Sequence, residues 1–369
     1  MIRYSVTAKQ HSLYAVKETK IMQHENHHSF FIGATMFATI LTMAASTTPA
    51  WASSSSDIET GHKEIVHSVE EHMPLMRDDS RNGHCERDSM ATNFQRCAIF
   101  SPANHRYMSV HFKPASRGGT KTLMLLDGAS AVDTHNRWIN LGGAAHILAN
   151  KNVNVILPIG GGVSYYADFQ YPYHHCSLTH PTLDEQQWET FVTRDIPRWA
   201  QRNAIPARRW SLGGFSMGGG AALSLAERYP ALFSRAFSYS GMNVTAAPGL
   251  QETLTATSDL TVCMWAPFGS PLNGARYEYD PYLNADKLAT LESVYISAGT
   301  GFTPSHYVAG DLMSAPYEWG VLASSLALYM KTQALGITHV TLDVYPEGSH
   351  TYRVAWYALQ RSLPIILKN

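Results

Sequence analysis

The sequence predicts an α/β fold in which a mostly parallel central sheet carries helices on both faces. Two observations support this class. Short apolar runs rich in β-branched and aromatic residues alternate with stretches of helical periodicity, as repeated strand–helix units require. A glycine-rich segment at 213–220 also joins a strand-like run to a helix-like run, and the chain contains no internal repeat.

The predicted elements follow in order along the chain. Residues 97–100 and 107–112 are expected to form an antiparallel pair at the start of the globular part. Buried strands are then predicted at 122–126, 153–157, 210–213, 235–240, 293–298 and 339–344. Helices fit between several of these strands, at 188–201, 219–229 and 318–335. In the last helix Leu322, Leu326 and Tyr329 recur at the spacing of one helix face.

Composition is compatible with a full-sized core and excludes some partners. The chain has 369 residues, of which 45% are hydrophobic and 15% charged, and its formal net charge is -1. A chain with no charge excess and no basic tract lacks the field that attracts nucleic acid or an anionic membrane surface. Nucleic acid is therefore not expected as a partner.

The N-terminus has the pattern of a targeting segment. An apolar run at 30–45 is followed by Ala50-Trp51-Ala52, the small-x-small form that signal peptidase cuts, and the run is short for a membrane span. We expect residues 1–52 to be a signal peptide. An uncleaved anchor and translation from Met22 remain open alternatives. The protein is accordingly expected to be secreted or held in the cell envelope, outside the cytoplasmic membrane.

The next segment, 53–84, is polar and serine-rich at its start, which predicts a linker or N-terminal extension. Residues 85–369 then form the predicted α/β domain.

An even number of cysteines in an exported chain permits two disulfides. The local pairing joins Cys85 to Cys97 and leaves Cys176 for Cys263, but spacing does not fix the connectivity, and unpaired thiols are the alternative. No C-x-x-C motif occurs, so neither redox chemistry nor a structural zinc site is predicted.

The residues Gly214-Phe215-Ser216-Met217-Gly218 fit G-x-S-x-G, with a strand-like run before them and a small-residue helix start after them. This motif is the nucleophile elbow of α/β-hydrolases, a strained turn that raises the serine hydroxyl above the sheet. A bare pattern is common by chance, whereas both flanks here agree with the elbow. We expect Ser216 to be a nucleophile and 85–369 to be an α/β-hydrolase catalytic domain.

A serine nucleophile needs a base, and in this fold the acid and then the histidine follow the serine along the chain. Of the 18 histidines, only His350 lies just past the last predicted strand. For the acid, spacing leaves Asp311 and Glu318 as candidates, whereas Asp343 falls inside the last predicted strand and is assigned a structural role.

The oxyanion hole of this fold uses the N–H group after the nucleophile and a second N–H from an earlier loop. These groups are expected to be those of Met217 and Ala129, the latter in the loop at 125–129. An aromatic loop at 165–173 either lines a substrate groove or packs on the core, and the sequence does not separate these readings.

Three histidines crowd around Cys176, namely His174, His175 and His180. They lack a recognised metal-ligand spacing. No metal and no cofactor are predicted.

Taken together, the chain resembles the antigen 85-type mycolyltransferases and their corynebacterial relatives, within the esterase-D-like α/β-hydrolases. The resemblance covers nearly all of residues 97–367. Its motifs, in order, are Leu125-Leu126-Asp127-Gly128 with Asp133, Asn136 and Trp138, then 157–161, 164–169, Trp188-Glu189-Thr190-Phe191, the elbow, Met264-Trp265, Asp280-Pro281, 317–320 and Gly348-Ser349-His350. The Trp-Glu-Thr-Phe segment is more specific than the elbow alone.

The resemblance implies a function and selects the acid. Family members place a glutamate before the histidine at the spacing of Glu318 and His350. They transfer mycolic acids between trehalose-linked donors and trehalose or cell-wall arabinan. The expected function is therefore transfer of mycolyl groups from trehalose monomycolate to trehalose or arabinogalactan through an acyl-enzyme on Ser216. Trehalose mycolates and sugar acceptors are the implied partners, and no protein partner is implied.

Three positions bear on the sugar site. Asp127 matches a family aspartate that binds sugar, although a buried aspartate that caps backbone N–H groups is the alternative. Two positions depart from the mycobacterial pattern: Ser130 replaces an arginine and Tyr352 replaces a tryptophan. Both positions line the sugar site in the family, so the identity of the acceptor is open.

Two other functions remain as alternatives. A secreted carboxylesterase of the same fold would use the same triad, because transfer and hydrolysis differ only in whether water reaches the acyl-enzyme. A non-catalytic envelope-binding protein is less favoured, since the serine, glutamate and histidine are all present.

Overall fold

The computed structural model describes residues 84–170, 186–247, 265–269, 274–302 and 309–368, with the backbone alone at 265 and 309–313. The predicted signal peptide, almost all of the predicted linker, Cys176 and Cys263 lie outside the described residues, and so do His174, His175 and His180. The predictions made for them stay predictions.

One nine-stranded sheet organises the described chain. Its strands are β1 (Cys85–Arg87), β2 (Gln95–Ser101), β3 (Arg106–Lys113), β4 (Thr122–Leu126), β5 (Asn154–Pro158), β6 (Trp210–Phe215), β7 (Phe233–Tyr239), β8 (Ser293–Gly299) and β9 (Val340–Tyr345). The spatial order is β1-β2-β3-β5-β4-β6-β7-β8-β9. The pairs β1–β2, β2–β3 and β3–β5 are antiparallel. The other five pairs, β5–β4, β4–β6, β6–β7, β7–β8 and β8–β9, are parallel. The predicted α/β class with a mostly parallel sheet is confirmed.

The helices connect the strands and cover the sheet. They are α1 (Arg137–Asn140), α2 (Ala144–Ile147), α3 (Trp188–Thr190), a π-helical turn (Phe191–Asp195), α4 (Ile196–Arg202), α5 (Met217–Arg228), α6 (Trp265–Phe268), α7 (Ala275–Glu278), a 3-10 helix (Ala285–Thr290), α8 (Ala309–Ala334) and α9 (Tyr352–Ile366). Among the described helices, none combines the length and apolarity needed to cross a membrane.

The sheet separates two apolar layers, because successive side chains of a strand point to opposite faces. In β4, Met124 and Leu126 pack with residues of α4, α5 and α8, whereas Leu123 and Leu125 pack with residues of α1, α2 and α9. All five residues of β4 are buried. This burial on both faces explains why the central strands read as continuous apolar runs in the sequence.

The predicted elements agree with the structure apart from their ends. The antiparallel start is present, with residues 95–101 paired against 106–112. The predicted helix at 318–335 starts earlier, at Ala309, because Pro316 lies inside the helix instead of ending it. The short strand β1 was not predicted, since three residues carry no usable alternation.

The N-terminal edge is fixed by covalent and polar contacts. Cys85 and Cys97 face each other in the β1–β2 register and form the predicted local disulfide. Nearby, His111 Nδ1 lies 2.9 Å from Asp88 Oδ2, and Nε2 accepts the N–H of Asn136 at 3.2 Å. Burial lowers the pKa of His111 to about 4, so the ring is neutral at pH 7 and holds the loop that leads into α1.

One buried acid on α5 has no hydrogen-bond partner among the residues that the structure describes. Glu227 is 3% exposed, and neither carboxylate oxygen accepts a hydrogen bond in the described part of the chain. Desolvation raises the pKa of Glu227 well above its usual range, and the neighbouring Asp280 raises it further. Because the folded-state pKa lies above the unfolded value, its contribution to stability is complete below the unfolded pKa and is lost as pH rises toward the folded pKa.

We therefore expect Glu227→Gln to stabilise the protein at pH 7, because the amide needs no proton to remain neutral. The gain should be larger at pH 7 than below pH 4.5, where the unfolded chain also holds the proton. Urea unfolding at pH 7 and below pH 4.5 measures the change in the free energy of unfolding. The exposed Glu278→Gln serves as control and should change neither value. An equal effect of Glu227→Gln at both pH values would contradict the assignment.

Candidate active site

The serine lies in a sharp turn between β6 and α5. Its backbone adopts φ 57° and ψ -120°, a conformation that side chains other than glycine rarely adopt and that costs about 1–3 kcal/mol. Two glycines make the turn possible, because a residue with a Cβ could not come so close to the neighbouring backbone. A Cβ on Gly214 would lie 2.3 Å from the carbonyl oxygen of Gly218, and a Cβ on Gly218 would lie 2.4 Å from that of Asp127.

The structure brings together the three residues predicted to form a triad. The Oγ of Ser216 lies 2.7 Å from Nε2 of His350, and Nδ1 of the same ring lies 2.8 Å from Oε2 of Glu318. An ionised carboxylate only accepts hydrogen bonds, so Nδ1 carries the proton and Nε2 faces the serine hydroxyl as an acceptor. This arrangement suits removal of the serine proton.

Glu318 is held from two sides. Its side chain is fully buried, and its second oxygen, Oε1, accepts from the Ser240 hydroxyl at 2.7 Å and from the Gly299 N–H at 2.5 Å. Ser240 follows β7 and Gly299 ends β8, so two strand ends fix one carboxylate. Sequence reasoning did not identify these two supports, although their positions at carboxyl ends of parallel strands were a usable signal.

The other two acids considered in the sequence lie elsewhere. Asp343 is in β9, accepts the Tyr295 hydroxyl at 2.5 Å and pairs with Arg361 at 2.7 Å, in keeping with its structural assignment. The side chain of Asp311, at the start of α8, lies outside the described atoms.

Two aromatic rings flank the imidazole of His350. Phe215 stacks on it with ring centroids 5.0 Å apart and planes at 29°, and Tyr317 stacks on it at 6.0 Å and 25°. Each ring is a sequence neighbour of a triad residue. The ring orientation that faces the serine is therefore fixed by packing as well as by the bond to Glu318.

The two N–H groups predicted for the oxyanion hole belong to different elements. Met217 is the first residue of α5, and Ala129 lies in the loop after β4. The carbonyl of Ala129 accepts the N–H of Val163 at 3.0 Å, whereas neither Ala129 nor Met217 donates its N–H to a group of the described chain. A free N–H at a helix N-terminus favours negative charge.

Asp127 and Tyr352 contact each other beneath this loop. The Tyr352 hydroxyl donates to Oδ1 of Asp127 and accepts the Gly128 N–H at 3.2 Å. Asp127 also accepts the N–H groups of Gly128 at 3.0 Å and Arg137 at 2.8 Å. Burial raises the pKa of Asp127 to about 6, and those two N–H groups oppose the rise. Its contacts in the described chain are those of the capping alternative, while sugar binding by Asp127 or Tyr352 stays a prediction.

Ser130, the other departure from the mycobacterial pattern, is exposed at the rim of the same loop. Its hydroxyl accepts from Nη1 of Arg137 at 2.8 Å. A guanidinium therefore lies next to Ser130, although it comes from a different position in the sequence.

Glu189, in the Trp-Glu-Thr-Phe segment, lies in a buried polar cluster that was not predicted from the sequence. Glu189 is 6% exposed, pairs with Arg228 and accepts the hydroxyls of Tyr229 and Tyr279, the latter at 2.8 Å. Arg228 also lies over the Tyr279 ring at 4.2 Å. The cluster ties α3 to the far end of α5.

Within the described residues, no group of three or more histidine, cysteine, aspartate or glutamate side chains is arranged to hold a metal ion.

Known proteins share both the sequence and the fold. The family described as "Putative esterase" matches residues 99–359. The diacylglycerol acyltransferase/mycolyltransferase Ag85C of Mycobacterium avium is 32% identical over 262 residues, covering 68% of this chain and 70% of that protein. The diacylglycerol acyltransferase/mycolyltransferase Ag85B of Mycobacterium leprae is 28% identical over 277 residues, covering 73% and 81%.

Two solved structures show the likeness of fold. MPT51 of Mycobacterium tuberculosis superposes with a TM-score of 0.63 at 22% identity, covering 74% of this chain and 97% of that one. The fluorophosphonate-binding serine hydrolase F of Staphylococcus aureus gives a TM-score of 0.57 at 16% identity, covering 75% and 98%.

Tyr352→Phe should weaken both stability and activity, because its hydroxyl joins α9 to the loop that carries Ala129. Removal leaves a buried carboxylate oxygen with one fewer donor, a loss of about 1–3 kcal/mol in the free energy of unfolding. We expect kcat to fall more than KM rises, measured on a chromogenic ester. Tyr357→Phe, on the same helix with an exposed ring, is the control. Unchanged stability and kcat in Tyr352→Phe would show that this hydroxyl does not hold the loop that carries Ala129.

Proposed function

The chain belongs to the Esterase family, within its antigen 85-type branch, and from this premise we propose that it is a serine acyltransferase working through an acyl-enzyme on Ser216. Its general class is acyl transfer or ester hydrolysis, as in those relatives. We further propose that the donor is trehalose monomycolate and the acceptor trehalose or arabinogalactan. Action outside the cytoplasmic membrane is part of the proposal, on the strength of the predicted signal peptide.

The observation that carries the proposal is the unbroken hydrogen-bonded row from Glu318 through His350 to Ser216. In the first half-reaction Ser216 Oγ attacks the ester carbonyl while Nε2 of His350 takes its proton. The buried Glu318 carboxylate stabilises the imidazolium that forms. General acid–base assistance of this kind is worth about 10²–10⁴-fold in rate.

The negative oxygen of the tetrahedral intermediate would lie against the N–H groups of Met217 and Ala129. Losing one such donor costs about 10²–10³-fold in kcat. His350 then gives its proton to the departing trehalose hydroxyl, which leaves the acyl group on Ser216. In the second half-reaction an acceptor hydroxyl gives its proton to His350 and attacks the acyl carbonyl. The bond from that carbon to Ser216 Oγ then breaks, and His350 returns the proton to Oγ.

Hydrolysis is the competing outcome, because the triad serves water as well as it serves a sugar hydroxyl. Ser130 and Tyr352 differ from the mycobacterial pattern near the site, so the preference for a sugar acceptor has to be measured.

The deciding experiment incubates the purified protein with trehalose monomycolate and labelled trehalose. We expect label in mono- and dimycolate, and none with Ser216→Ala, since that variant lacks the nucleophile. Free mycolic acid without labelled ester would assign the protein as a hydrolase. A folded protein that produces neither, and that a fluorophosphonate does not label at Ser216, would be a binding protein.

Glu318→Gln tests the role of the acid separately. The amide keeps the size of the side chain but cannot balance the imidazolium charge, so we expect kcat/KM to fall by about 10²–10⁴-fold. Turnover of a chromogenic ester at saturating and limiting substrate measures it. Glu347→Gln, an exposed glutamate three residues before His350, should retain full activity. Wild-type kcat/KM in Glu318→Gln would remove Glu318 from the mechanism.

A further inference from the structure

The loop after β5, residues 160–167, has a strained backbone. Val163, Tyr165 and Tyr166 adopt φ values of 53°, 51° and 52°, in the left-handed region that side chains other than glycine rarely adopt. Val163 is the clearest outlier, because a β-branched side chain is poorly tolerated there. Such conformations persist only where surrounding contacts hold them, and they cluster at functional sites. The contacts of the 160–167 loop therefore indicate what it holds in place.

Two of these contacts lead to the first half of the predicted oxyanion hole. The N–H of Val163 donates to the carbonyl of Ala129 at 3.0 Å. The hydroxyl oxygen of Tyr166 accepts the N–H of Asp127 at 2.7 Å. The 160–167 loop thus holds the loop after β4 both at Ala129 and two residues before it.

The successive N–H groups of the loop after β4 have different partners. The N–H of Asp127 donates to Tyr166, and that of Gly128 donates to the Tyr352 hydroxyl at 3.2 Å. The N–H of Ala129 donates to no group of the described chain. Because hydrogen bonds fix the groups before it and its own carbonyl, the Ala129 N–H keeps one direction.

The 160–167 loop also contacts the residue that supplies the second oxyanion donor. The N–H of Tyr165 donates to Sδ of Met217 at 3.3 Å, a weak hydrogen bond to a thioether. Both residues whose N–H groups are predicted to hold the oxyanion, Ala129 and Met217, therefore touch one loop.

Tyr166 anchors this loop. Its side chain is fully buried, and its ring packs edge to face on Trp188 with centroids 5.7 Å apart. Its N–H donates to Oγ of Ser164 at 3.1 Å, and that hydroxyl donates to the carbonyl of Gly161 at 2.7 Å. Burial raises the pKa of Tyr166 well above its usual range, so the hydroxyl keeps its proton near neutral pH. A fixed ring thus presents a fixed acceptor to Asp127.

We propose that Tyr166 is a positioning residue for the oxyanion hole: its hydrogen bond from the Asp127 N–H sets the direction of the Ala129 N–H toward the tetrahedral intermediate. The inference rests on the proposed function and goes beyond it, since it gives a role to a residue outside the triad. The effect falls on the charged intermediate and little on the bound ester, because the carbonyl oxygen carries much less charge before attack.

Tyr166→Phe tests the proposal, since it removes the hydroxyl and keeps the ring. Turnover of a chromogenic ester and inhibition by an alkyl trifluoromethyl ketone are measured with the full chain, per site titrated with a fluorophosphonate. In the inhibited enzyme Ser216 Oγ bonds to the ketone carbon, the carbonyl π electrons pass to the oxygen, and the serine proton passes to His350. The inhibitor then carries the oxyanion.

We expect kcat to fall about ten- to a hundredfold in Tyr166→Phe with KM nearly unchanged, and the Ki of the ketone to rise by the same factor. The pH profile of kcat should keep its wild-type shape, because the triad is intact. Tyr239→Phe is the matched control, since Tyr239 is also fully buried and its hydroxyl bonds to Ser362 of α9 at 2.8 Å. It should lose stability without changing kcat or Ki.

If Tyr166→Phe does not fold, Ser164→Ala replaces it, because that change removes the acceptor of the Tyr166 N–H. It should lower kcat and raise Ki together. Unchanged kcat in the variant that folds, or a fall in kcat with unchanged Ki, would overturn the inference, and so would an equal effect of Tyr239→Phe. Failure of the fluorophosphonate to label the folded wild type at Ser216 would overturn the proposed function, and the inference with it.

Discussion

The site depends on one close approach of backbones, where Gly214 meets Gly218 across the turn that holds Ser216. A methyl group at either glycine would collide with a carbonyl oxygen, and the turn would have to open. Opening the turn would move Ser216 away from His350 and displace the N-terminus of α5. The site would then lose both its nucleophile and the Met217 N–H. The strained backbone of Ser216 is tolerated because β6 lies between β4 and β7 and is buried along its length.

The parallel part of the sheet explains how residues far apart in sequence meet. Parallel strands end at the same edge, where the loops after β4, β6 and β9 supply Ala129, Ser216 and His350, and the last residue of β8 supplies the Gly299 N–H. Strands β4, β6 and β8 are buried in the core, whereas β9 is largely half-buried or exposed, so His350 depends more on its bond to Glu318 and its ring contacts. Phe215, next to the serine, stacks on His350 and packs at a tilt against Tyr352, which extends the same packing across the site.

The sequence predicted the sheet well because the central strands are buried on both faces and bounded by turn residues. The serine and histidine were also predictable, since a motif and a position after the last strand identify them. Spacing alone did not identify Glu318, because the acid sits inside the long helix α8 and not in a loop directly after β8. Only the resemblance selected it. The unpaired Glu227 and the Asp88–His111 contact could not be predicted, because burial of a polar side chain depends on tertiary neighbours that have no local signal.

The disulfide at the end of the sheet has a consequence for association between molecules. Strand β1 is only three residues long, and it covers part of the outer edge of the seven-residue strand β2. Without the link between Cys85 and Cys97, so short a strand would detach readily. The bared N–H and C=O groups of β2 would then offer a template to another chain. The disulfide thus keeps part of the edge of β2 covered, which limits edge-to-edge association and is separate from catalysis at the carboxyl ends of the parallel strands.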